Sequence, residues 1–267
     1  GGGIAGLSAA WRLRQAGVEV VLFESSSRPG GWIRTTEREG LLLEWGPHSV
    51  LPSSPRLIQL AEEAGISDSW TSAAGAARRR YVYRAGKARA LPGSPFGIPF
   101  STALRPFGWV RVLSEPFRAN GGSEEESVKD FFQRRLGAEA ARILADAMVA
   151  GISGGVPEDL EMASFAPAVA EMERKHGSLF KGVISRSRPK GVPCRGTGTL
   201  KSGMQSLPEA LARGLGDAYQ GSNTVTEMYR ENHQWNLSVE GAYSRDTDGF
   251  DGVILATPSA VSAKLAR

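Results

Sequence analysis

The first six residues of the chain have the composition of a phosphate-binding turn. They read GGGIAG and precede an apolar pattern with the period of a helix. Glycine permits a tight turn, close approach of a pyrophosphate and close helix packing, while the N–H groups at the helix start attract phosphate charge. The predicted dinucleotide contacts in this turn are Gly1, Gly2, Gly3, Ile4, Ala5 and Gly6.

An acidic residue follows this turn at the distance expected of a ribose contact. Glu24 lies about 20 residues beyond Gly3, directly after the apolar run 18–23, which predicts a buried parallel strand. A carboxylate here, with Ser25 beside it, accepts hydrogen bonds from adenosine ribose hydroxyls and repels the extra phosphate of NADP. A solvated loop carboxylate is the alternative interpretation.

Two further segments favour a flavin over a nicotinamide dinucleotide. Residues 28–35 (RPGGWIRT) combine paired glycines with basic and hydroxylated side chains that can surround phosphates and a ribityl chain. Residues 44–49 (EWGPHS) contain a glycine that permits close backbone approach to a ring, followed by a stiffening proline. The predicted cofactor contacts in these segments are Arg28, Gly30, Gly31, Trp32, Gly46, Pro47, His48 and Ser49. We expect the imidazole to be a packing or loop group rather than a base.

Taken together, these segments resemble the flavin amine oxidase superfamily, whose second dinucleotide motif is GGRxxT. Trp32 stands where that motif has arginine. The rest of the chain resembles the oxygen-dependent protoporphyrinogen oxidases within that superfamily. The segments that carry this resemblance are RRYVY (79–83), LPGSP (91–95), FFQRRLG (131–137), AGISGG (150–155), ERKHGSL (173–179) and LKSGMQSLPEAL (200–211). The resemblance implies an α/β fold: a Rossmann-like FAD-binding domain with an inserted substrate region and a helical, membrane-facing domain.

The resemblance also implies roles for particular residues. Arg80 would face a substrate propionate, and its planar guanidinium can bind a carboxylate through two hydrogen bonds. Gly151 and Gly154 would line the substrate, although Ser153 and Gly154 replace bulkier residues of the family pattern. The implied cofactor contacts near the end of the chain are Val225, Ala256 and Thr257. No catalytic side chain and no metal ligand is predicted.

The activity implied by the resemblance is oxidation of protoporphyrinogen IX to protoporphyrin IX in haem biosynthesis. Hydride would pass from the macrocycle to FAD, and oxygen would accept the electrons to give hydrogen peroxide. The nearest alternative is oxidation of coproporphyrinogen III to coproporphyrin III, a substrate with more carboxylates. More distant alternatives are another flavin amine oxidase or desaturase, and a non-catalytic FAD-binding protein.

The composition argues against several other classes. The net charge of +4 over 267 residues is too small and dispersed for a nucleic-acid partner. One cysteine and three scattered histidines offer no internal disulfide, zinc site or Ser-His-Asp triad. Aromatic and basic residues between 92 and 118 predict either peripheral membrane contact or core packing. The resemblance favours a cytoplasmic protein on the inner face of the cell membrane, and a homodimer.

The elements that must position these residues follow from periodicity and turn residues. The predicted helices are 4–16, 54–64, 123–150 with a break at 137, 157–176 with an interruption at 167, and 203–214. The predicted strands are 18–23, 81–84, 88–91, 223–228, 235–239 and 253–256, and 177–198 is a predicted loop. Ser123 and Glu126 form a predicted capping box. The predicted domains are 1–50 and 191–267 for FAD binding, 51–91 for substrate and 92–190 for the helical domain.

The two ends suggest a fragment of a longer fold. The glycine turn stands at the start of the chain, although a parallel strand should precede it. The chain also stops shortly after the strand-like run 252–258. We therefore expect residues 1–267 alone to bind FAD poorly and to be inactive.

Overall fold

The chain divides into two compact units, Gly1–Ala73 with Pro189–Arg267, and Ala74–Arg188. The second unit is inserted between the two parts of the first. The computed structural model describes residues 1–50, 55–75, 79–92, 100–123, 125–185, 197–243 and 247–266. Residues 54, 93–99, 124 and 186–196 of the predicted segments lie outside this description. The predicted four-part division into domains stays a prediction.

Helices dominate the second unit, whereas the first unit mixes helices with short strands. The helices are α1 (Ile4–Gln15), α2 (Pro55–Glu63), α3 (Pro106–Leu113), α4 (Val128–Leu136), α5 (Ala138–Ala140), α6 (Asp146–Ile152), α7 (Met162–Phe165), α8 (Pro167–His176), α9 (Leu179–Ser185), α10 (Ser206–Leu215) and α11 (Ser259–Leu265). A π-helical turn, Ala141–Ala145, joins α5 to α6. None of the helices in the described part of the chain has the length and apolarity needed to cross a bilayer.

The strands pair two by two. They are β1 (Leu22–Phe23), β2 (Thr35–Arg38), β3 (Leu41–Glu44), β4 (Trp70–Ser72), β5 (Tyr81–Arg84), β6 (Lys87–Ala90), β7 (Gly198–Leu200), β8 (Tyr219–Gln220), β9 (Asn223–Glu231) and β10 (Gln234–Gly241). β1 runs parallel to β8, and the pairs β2–β3, β4–β7, β5–β6 and β9–β10 are antiparallel. The predicted hairpin within 81–91 is confirmed, as are the predicted strands 223–228 and 235–239, which are longer than expected.

Two predicted strands are wrong in whole or in part. Val18–Val21 is not a strand, because the two-residue β8 is the only strand beside this segment among the described residues. Val18 is accordingly 48% exposed. Residues 253–256 are irregular, and Ile254 is 61% exposed. Since a strand requires a hydrogen-bonded neighbour, an apolar β-branched run alone over-predicts strands here.

The core of the first unit lies between α1 and α10. Leu7 on α1 is completely buried, as is Leu211 on α10. A Cβ added to Gly214 would overlap the ring of Trp11, so glycine permits the close approach of the two helices. These contacts fix α1, and with it the N-terminal turn, against the rest of the unit.

A carboxylate on α2 ties this helix to α1. Glu63 accepts hydrogen bonds from Arg12 Nη1 at 2.7 Å, Trp11 Nε1 at 3.0 Å and Gln15 Nε2 at 3.1 Å. The hydrogen bond from Arg12 is the largest contribution to a pKa of Glu63 of about 2. The carboxylate is therefore ionised over the whole neutral range.

We expect Glu63→Gln to lower the melting temperature at neutral pH, because the charged partner of Arg12 is lost. Because folding lowers the pKa of Glu63, its carboxylate stabilises the fold fully at pH values above the ordinary pKa of 4.5. This stabilisation is lost as the pH falls towards about 2. The gap between wild type and variant in thermal melts should close over that range. Glu62→Gln, at an exposed neighbour, is the matched control. A gap that stayed constant on acidification would contradict the role of Glu63.

The second unit has its own core around α4. Ser127 caps this helix, because its Oγ accepts a hydrogen bond from the Asp130 N–H at 3.1 Å. The predicted capping box of Ser123 and Glu126 is wrong, because the helix begins one turn later. The same spacing of serine and acid recurs there, at 127–130. Glu126 instead accepts a hydrogen bond from Arg134 Nε at 2.9 Å. The predicted interruptions at 137 and 167 are confirmed, whereas 157–161 is not helical.

A buried ion pair fixes α9, which lies in the segment predicted to be a loop. Glu115 and Arg135 are both fully buried, and their side chains are hydrogen-bonded to each other. Glu115 also accepts hydrogen bonds from the Ser178 hydroxyl at 2.6 Å and the Leu179 N–H at 2.9 Å, so it caps α9. Burial alone would raise the pKa of Glu115, but these hydrogen bonds outweigh it and lower the pKa. The loop prediction is wrong for Leu179–Ser185, because the cap of this helix comes from a residue distant in the chain.

Candidate functional site

The glycine turn begins α1 without a side-chain cap. Gly3 occupies the N-cap position with φ −68° and ψ 173°, and no described side chain caps the helix there. A Cβ placed on Gly3 would have no heavy atom within 4 Å, so the adjacent space is open. The N–H groups of Ile4, Ala5 and Gly6 lie in the first turn, where no helical partner precedes them. Open space at the positive end of a helix suits a phosphate.

A segment near the end of the chain packs against this turn. A Cβ on Gly6 would overlap the carbonyl oxygen of Gly1. A Cβ on Gly1 would lie 2.6 Å from the Ala256 carbonyl oxygen and 3.2 Å from Thr257 Cγ2. The structure thus brings Ala256 and Thr257 into contact with the turn, and their role as cofactor ligands stays a prediction.

The second glycine loop lies beside the first. Gly30 pairs with Gly3 in a parallel bridge, and its N–H donates to the Gly2 carbonyl oxygen at 2.8 Å. Gly31 has a φ of 57°, and a Cβ there would lie 3.4 Å from the Cα of Gly3. Arg28 keeps this loop in shape, since its guanidinium donates to two carbonyl oxygens of the loop at 2.8 and 3.1 Å. A ligand beside Gly3 is therefore flanked by both loops.

Glu24 is hydrogen-bonded on both carboxylate oxygens. Oε2 accepts from the Gly2 N–H at 2.5 Å, and Oε1 accepts from the Ser26 N–H at 2.8 Å and hydroxyl at 2.7 Å, with the Ser25 hydroxyl at 3.4 Å. Burial alone would raise the pKa of Glu24, but the hydrogen bonds outweigh it and lower the pKa. The Ser26 hydroxyl also lies 2.8 Å from the Arg28 carbonyl oxygen. It can donate there instead, which leaves Oε1 able to accept a ribose hydroxyl.

Residues 44–49, the segment predicted to lie beside the flavin ring, contact the second glycine loop at Gly46. A Cβ on Gly46 would overlap the carbonyl oxygen of Trp32, so only glycine fits there. The Trp32 side chain is 83% exposed. Pro47 and His48 are exposed, and Ser49 is half-buried. Gly46 and Trp32 are thus brought together with the glycine turn, while the imidazole remains on the surface.

Sequence reasoning missed a polar cluster that ties these loops to α10. Glu44 accepts hydrogen bonds from Thr35 Oγ1 and from the Met204 N–H, both at 2.8 Å. Thr35 also donates its N–H to Gln205 Oε1 at 2.9 Å, and the Gln205 N–H donates to Thr35 Oγ1 at 3.1 Å. Thr35 and Glu44 belong to the motif segments, but Gln205 is 170 residues away and carries no local signal.

Strands β8 and β9 flank the acidic residue. The Asn223 N–H at the start of β9 donates to the Glu24 carbonyl oxygen at 2.9 Å, and Val225 lies two residues further along this strand. Tyr219 on β8, a second residue that sequence reasoning missed, has a buried hydroxyl with no partner among the described residues. Burial, reinforced by the charge of Glu24, raises the pKa of Tyr219 to about 12. The phenol of Tyr219 therefore lies close enough to Glu24 for the charge of the carboxylate to act on it.

The predicted substrate residues lie in the second unit. Arg80 is exposed directly before β5, and its guanidinium has no ion pair among the described residues. Arg84, at the other end of that strand, is instead paired with Glu139 at 2.9 Å. Gly151 in α6 and Gly154 after it are exposed, and a Cβ on either would meet no atom within 4 Å. Their roles towards a substrate stay predictions.

Comparison with known families decides the class of the glycine site. A model of the family described as flavin containing amine oxidoreductase matches residues 4–267. The chain belongs to this family. Its cofactor is therefore FAD, the flavin of the oxidoreductases in this family.

The relatives of the chain include porphyrinogen oxidases. Protoporphyrinogen oxidase 2 of Arabidopsis thaliana is 29% identical over 97% of this chain and 56% of its own length. The Homo sapiens protoporphyrinogen oxidase is 30% identical over 99% and 60%. Coproporphyrinogen III oxidase of Staphylococcus aureus is 29% identical over 98% and 60%. The chain thus spans 56–60% of the length of these relatives.

Solved structures share the fold. An Exiguobacterium protein assigned as a protoporphyrinogen oxidase superposes with a TM-score of 0.76 at 23% identity, covering 99% of this chain and 60% of that one. Cyclohexylamine oxidase of Brevibacterium oxydans gives 0.68 at 18% identity, covering 99% and 58%. The predicted α/β FAD-binding fold is confirmed by these likenesses.

The residues of the first unit fit FAD. The open space beside Gly3 and the uncapped start of α1 can take a pyrophosphate, and Glu24 can accept ribose hydroxyls. Trp32 stands where the family motif has arginine, and its indole offers no charge to a phosphate.

We expect Trp32→Arg to tighten FAD binding by roughly tenfold, because a guanidinium at this exposed loop position can add a charge-assisted hydrogen bond to a phosphate. Flavin fluorescence titration of the natural full-length protein measures this change. Trp32→Gln, which offers no charge, is the control. An arginine variant that binds FAD no better than the glutamine variant would place the phosphates elsewhere.

Proposed function

We propose that this chain is the flavin-binding and substrate-facing part of an enzyme that oxidises protoporphyrinogen IX to protoporphyrin IX, with oxygen as electron acceptor, in haem biosynthesis. The observation that carries the proposal is the meeting of Gly3 and Gly31 beside open space at the start of α1, with Glu24 next to them. This arrangement supports flavin binding, and the protoporphyrinogen oxidases among the relatives support the substrate class.

The residues of this chain would bind and orient two partners. N–H groups of the glycine turn would hold the FAD pyrophosphate, and Glu24 would hold the adenosine ribose. Arg80 would pair with a propionate carboxylate of the tetrapyrrole through its planar guanidinium. When bound, FAD supplies the acceptor for hydride from the macrocycle. We nominate no side chain as a general base, and the contribution of the protein is binding and orientation.

The test is aerobic turnover by the natural full-length protein loaded with FAD. Protoporphyrinogen IX is added, and porphyrin fluorescence and hydrogen peroxide are followed together, with the protein-free rate subtracted. We expect peroxide to form in step with porphyrin and both to stop when oxygen is removed. A flavin-loaded protein that leaves protoporphyrinogen unchanged would contradict the proposal.

A second candidate is oxidation of coproporphyrinogen III. It is favoured by coproporphyrinogen III oxidases among the relatives, including one from Propionibacterium freudenreichii that is 34% identical over 70% of this chain and 37% of its own length. Coproporphyrinogen has four carboxylates, so it calls for more cationic contacts than Arg80 alone provides. We therefore rank it second.

We further propose that the second unit makes peripheral contact with the inner face of the cell membrane. α3 exposes Phe107 (86%) and Val110 (64%), and Phe117 just beyond it is 90% exposed. Core packing, the alternative interpretation of these aromatic residues, instead accounts for Trp109, which is buried. Large exposed apolar side chains on one helix suit the boundary between lipid headgroups and acyl chains.

We expect Phe107→Ser with Phe117→Ser to weaken co-sedimentation of the protein with phospholipid vesicles by at least roughly tenfold, because burial of each phenylalanine contributes about 1.5–3 kcal/mol. Leu41→Ser with Tyr229→Ser, at exposed apolar positions of the first unit, is the matched control. Equal loss in both double variants would argue against a specific membrane-facing surface on the second unit.

A further inference from the structure

The second unit contains a charged cavity that the proposed flavin chemistry does not use. It has a volume of about 500 Å³ and lies among β5, α3, α4 and the α5–α6 segment. Its basic side chains are Arg84, Arg105, Lys129 and Arg142, and its acidic ones are Glu139, Asp146 and Glu158. This volume is in the range of small-molecule sites.

Two of the four cations are already neutralised. Arg84 Nη1 lies 2.9 Å from Glu139 Oε1, and Lys129 Nζ lies 2.9 Å from Glu158 Oε1. Glu139 also accepts a hydrogen bond from the backbone N–H of Arg105 at 3.1 Å. These two pairs hold the wall of the cavity but leave little charge for a ligand.

Two guanidinium groups remain. Arg105 and Arg142 line the cavity, and in the described part of the chain neither has an ion-pair partner. The remaining acid is Asp146, and its negative charge acts partly on Lys129. The pKa of Lys129 is raised mainly by its hydrogen bond to Glu158, and Asp146 adds a smaller contribution. With one acid against two arginines, the uncompensated charge of the cavity is positive.

The backbone around the cavity departs from regular helix where Arg142 stands. Arg142 belongs to the π-helical turn Ala141–Ala145, and Gly137 with φ 93° breaks the chain between α4 and α5. A Cβ on Gly108 would overlap Glu139 Oε2, so glycine in α3 makes room for that carboxylate. π-helical turns are rare and occur frequently at functional sites.

We propose that this cavity binds a phosphate ester, with Arg105 and Arg142 as its guanidinium ligands. A phosphate monoester carries up to two negative charges and offers oxygens to both planar groups. The remaining volume accommodates the esterified alcohol. The ester is either a soluble metabolite or a lipid headgroup. A headgroup is included because Phe107, two residues after Arg105, is exposed and belongs to the surface proposed to contact the membrane. The proposal is independent of the proposed flavin function, since every lining residue belongs to the second unit.

The test compares two phosphate sources on the natural full-length protein. One arm titrates glycerol 3-phosphate by calorimetry, and the other measures co-sedimentation with vesicles of phosphatidylglycerol in phosphatidylcholine. Arg105→Gln with Arg142→Gln should weaken binding at least roughly tenfold, because the phosphate loses its charged hydrogen bonds to both guanidinium groups. Arg56→Gln with Arg213→Gln removes the same charge from exposed positions of the first unit and should have less than about a twofold effect.

The two arms separate the sources and keep the proposal open to refutation. If the cavity variant, but not the control variant, binds glycerol 3-phosphate more weakly, the cavity is a site for free phosphate esters. If only its binding to vesicles is weakened, the cavity is a site for lipid headgroups. Equal losses in the cavity and control variants would overturn the proposal, as would the absence of any phosphate-dependent binding by the wild type. Circular dichroism of each variant establishes that its helices are intact.

Discussion

Replacing Gly3 with valine is expected to abolish FAD binding while leaving the fold intact. The space that the new side chain would fill is open, and φ −68° with ψ 173° lies in the extended region that valine adopts readily. The same space is where the pyrophosphate would lie, so a branched side chain there excludes it. We expect FAD affinity to fall by at least ~100-fold, about 3 kcal/mol, in flavin fluorescence titrations.

Thermal unfolding of the apoprotein separates lost binding from lost structure. Its midpoint should be nearly the same for Gly3→Val and wild type. Gly252→Val makes the same change at another glycine of the first unit with open space around its Cβ, and it should bind FAD normally. Normal FAD binding by Gly3→Val would contradict the placement of the phosphates at the start of α1.

Replacing Arg80 with alanine is expected to lower kcat/KM for protoporphyrinogen IX by roughly 10- to 100-fold, with most of the change in KM. The guanidinium is exposed and has no ion pair among the described residues, so it is free to take a substrate carboxylate. Charged hydrogen bonds of this kind contribute about 1.5–3 kcal/mol. FAD content should be unchanged, because the arginine lies outside the flavin-binding unit.

The neighbouring arginine provides the control for this prediction. Arg79→Ala removes the same charge from an adjacent exposed position and should change kcat/KM by less than about twofold. Arg80→Lys should recover part of the loss, because lysine keeps the charge but not the planar fork. Equal effects at 79 and 80 would assign the loss to general electrostatics and contradict a specific carboxylate contact.

The features that the sequence predicted well are those set by local chemistry. α1 begins after Gly3 and ends beside Gly17 because glycine suits the turn at either end of this helix. The hairpin at 81–91 follows from Gly86, whose φ is 75°. Glu24 follows β1 directly, as the dinucleotide pattern requires. Each of these follows from residues close together in the chain.

The features that the sequence could not predict depend on residues that are distant in the chain. Nothing near Gln205 indicates that it will bind Thr35, because the pairing exists only after α10 has packed against the glycine loops. Val18–Val21 has the composition of a strand but lacks a paired neighbour among the described residues. No local pattern around Glu115 indicates burial, yet this residue is fully buried because Arg135 neutralises it.

The most direct test of the proposed function is the relative rate on two porphyrinogens. The natural full-length protein, loaded with FAD in air, is given protoporphyrinogen IX or coproporphyrinogen III at equal concentration, and the rise in porphyrin fluorescence is measured. We predict a much faster rate with protoporphyrinogen IX, and Arg80→Ala should reduce it. Preference for coproporphyrinogen III, or bound flavin with no turnover of either substrate, would contradict this assignment.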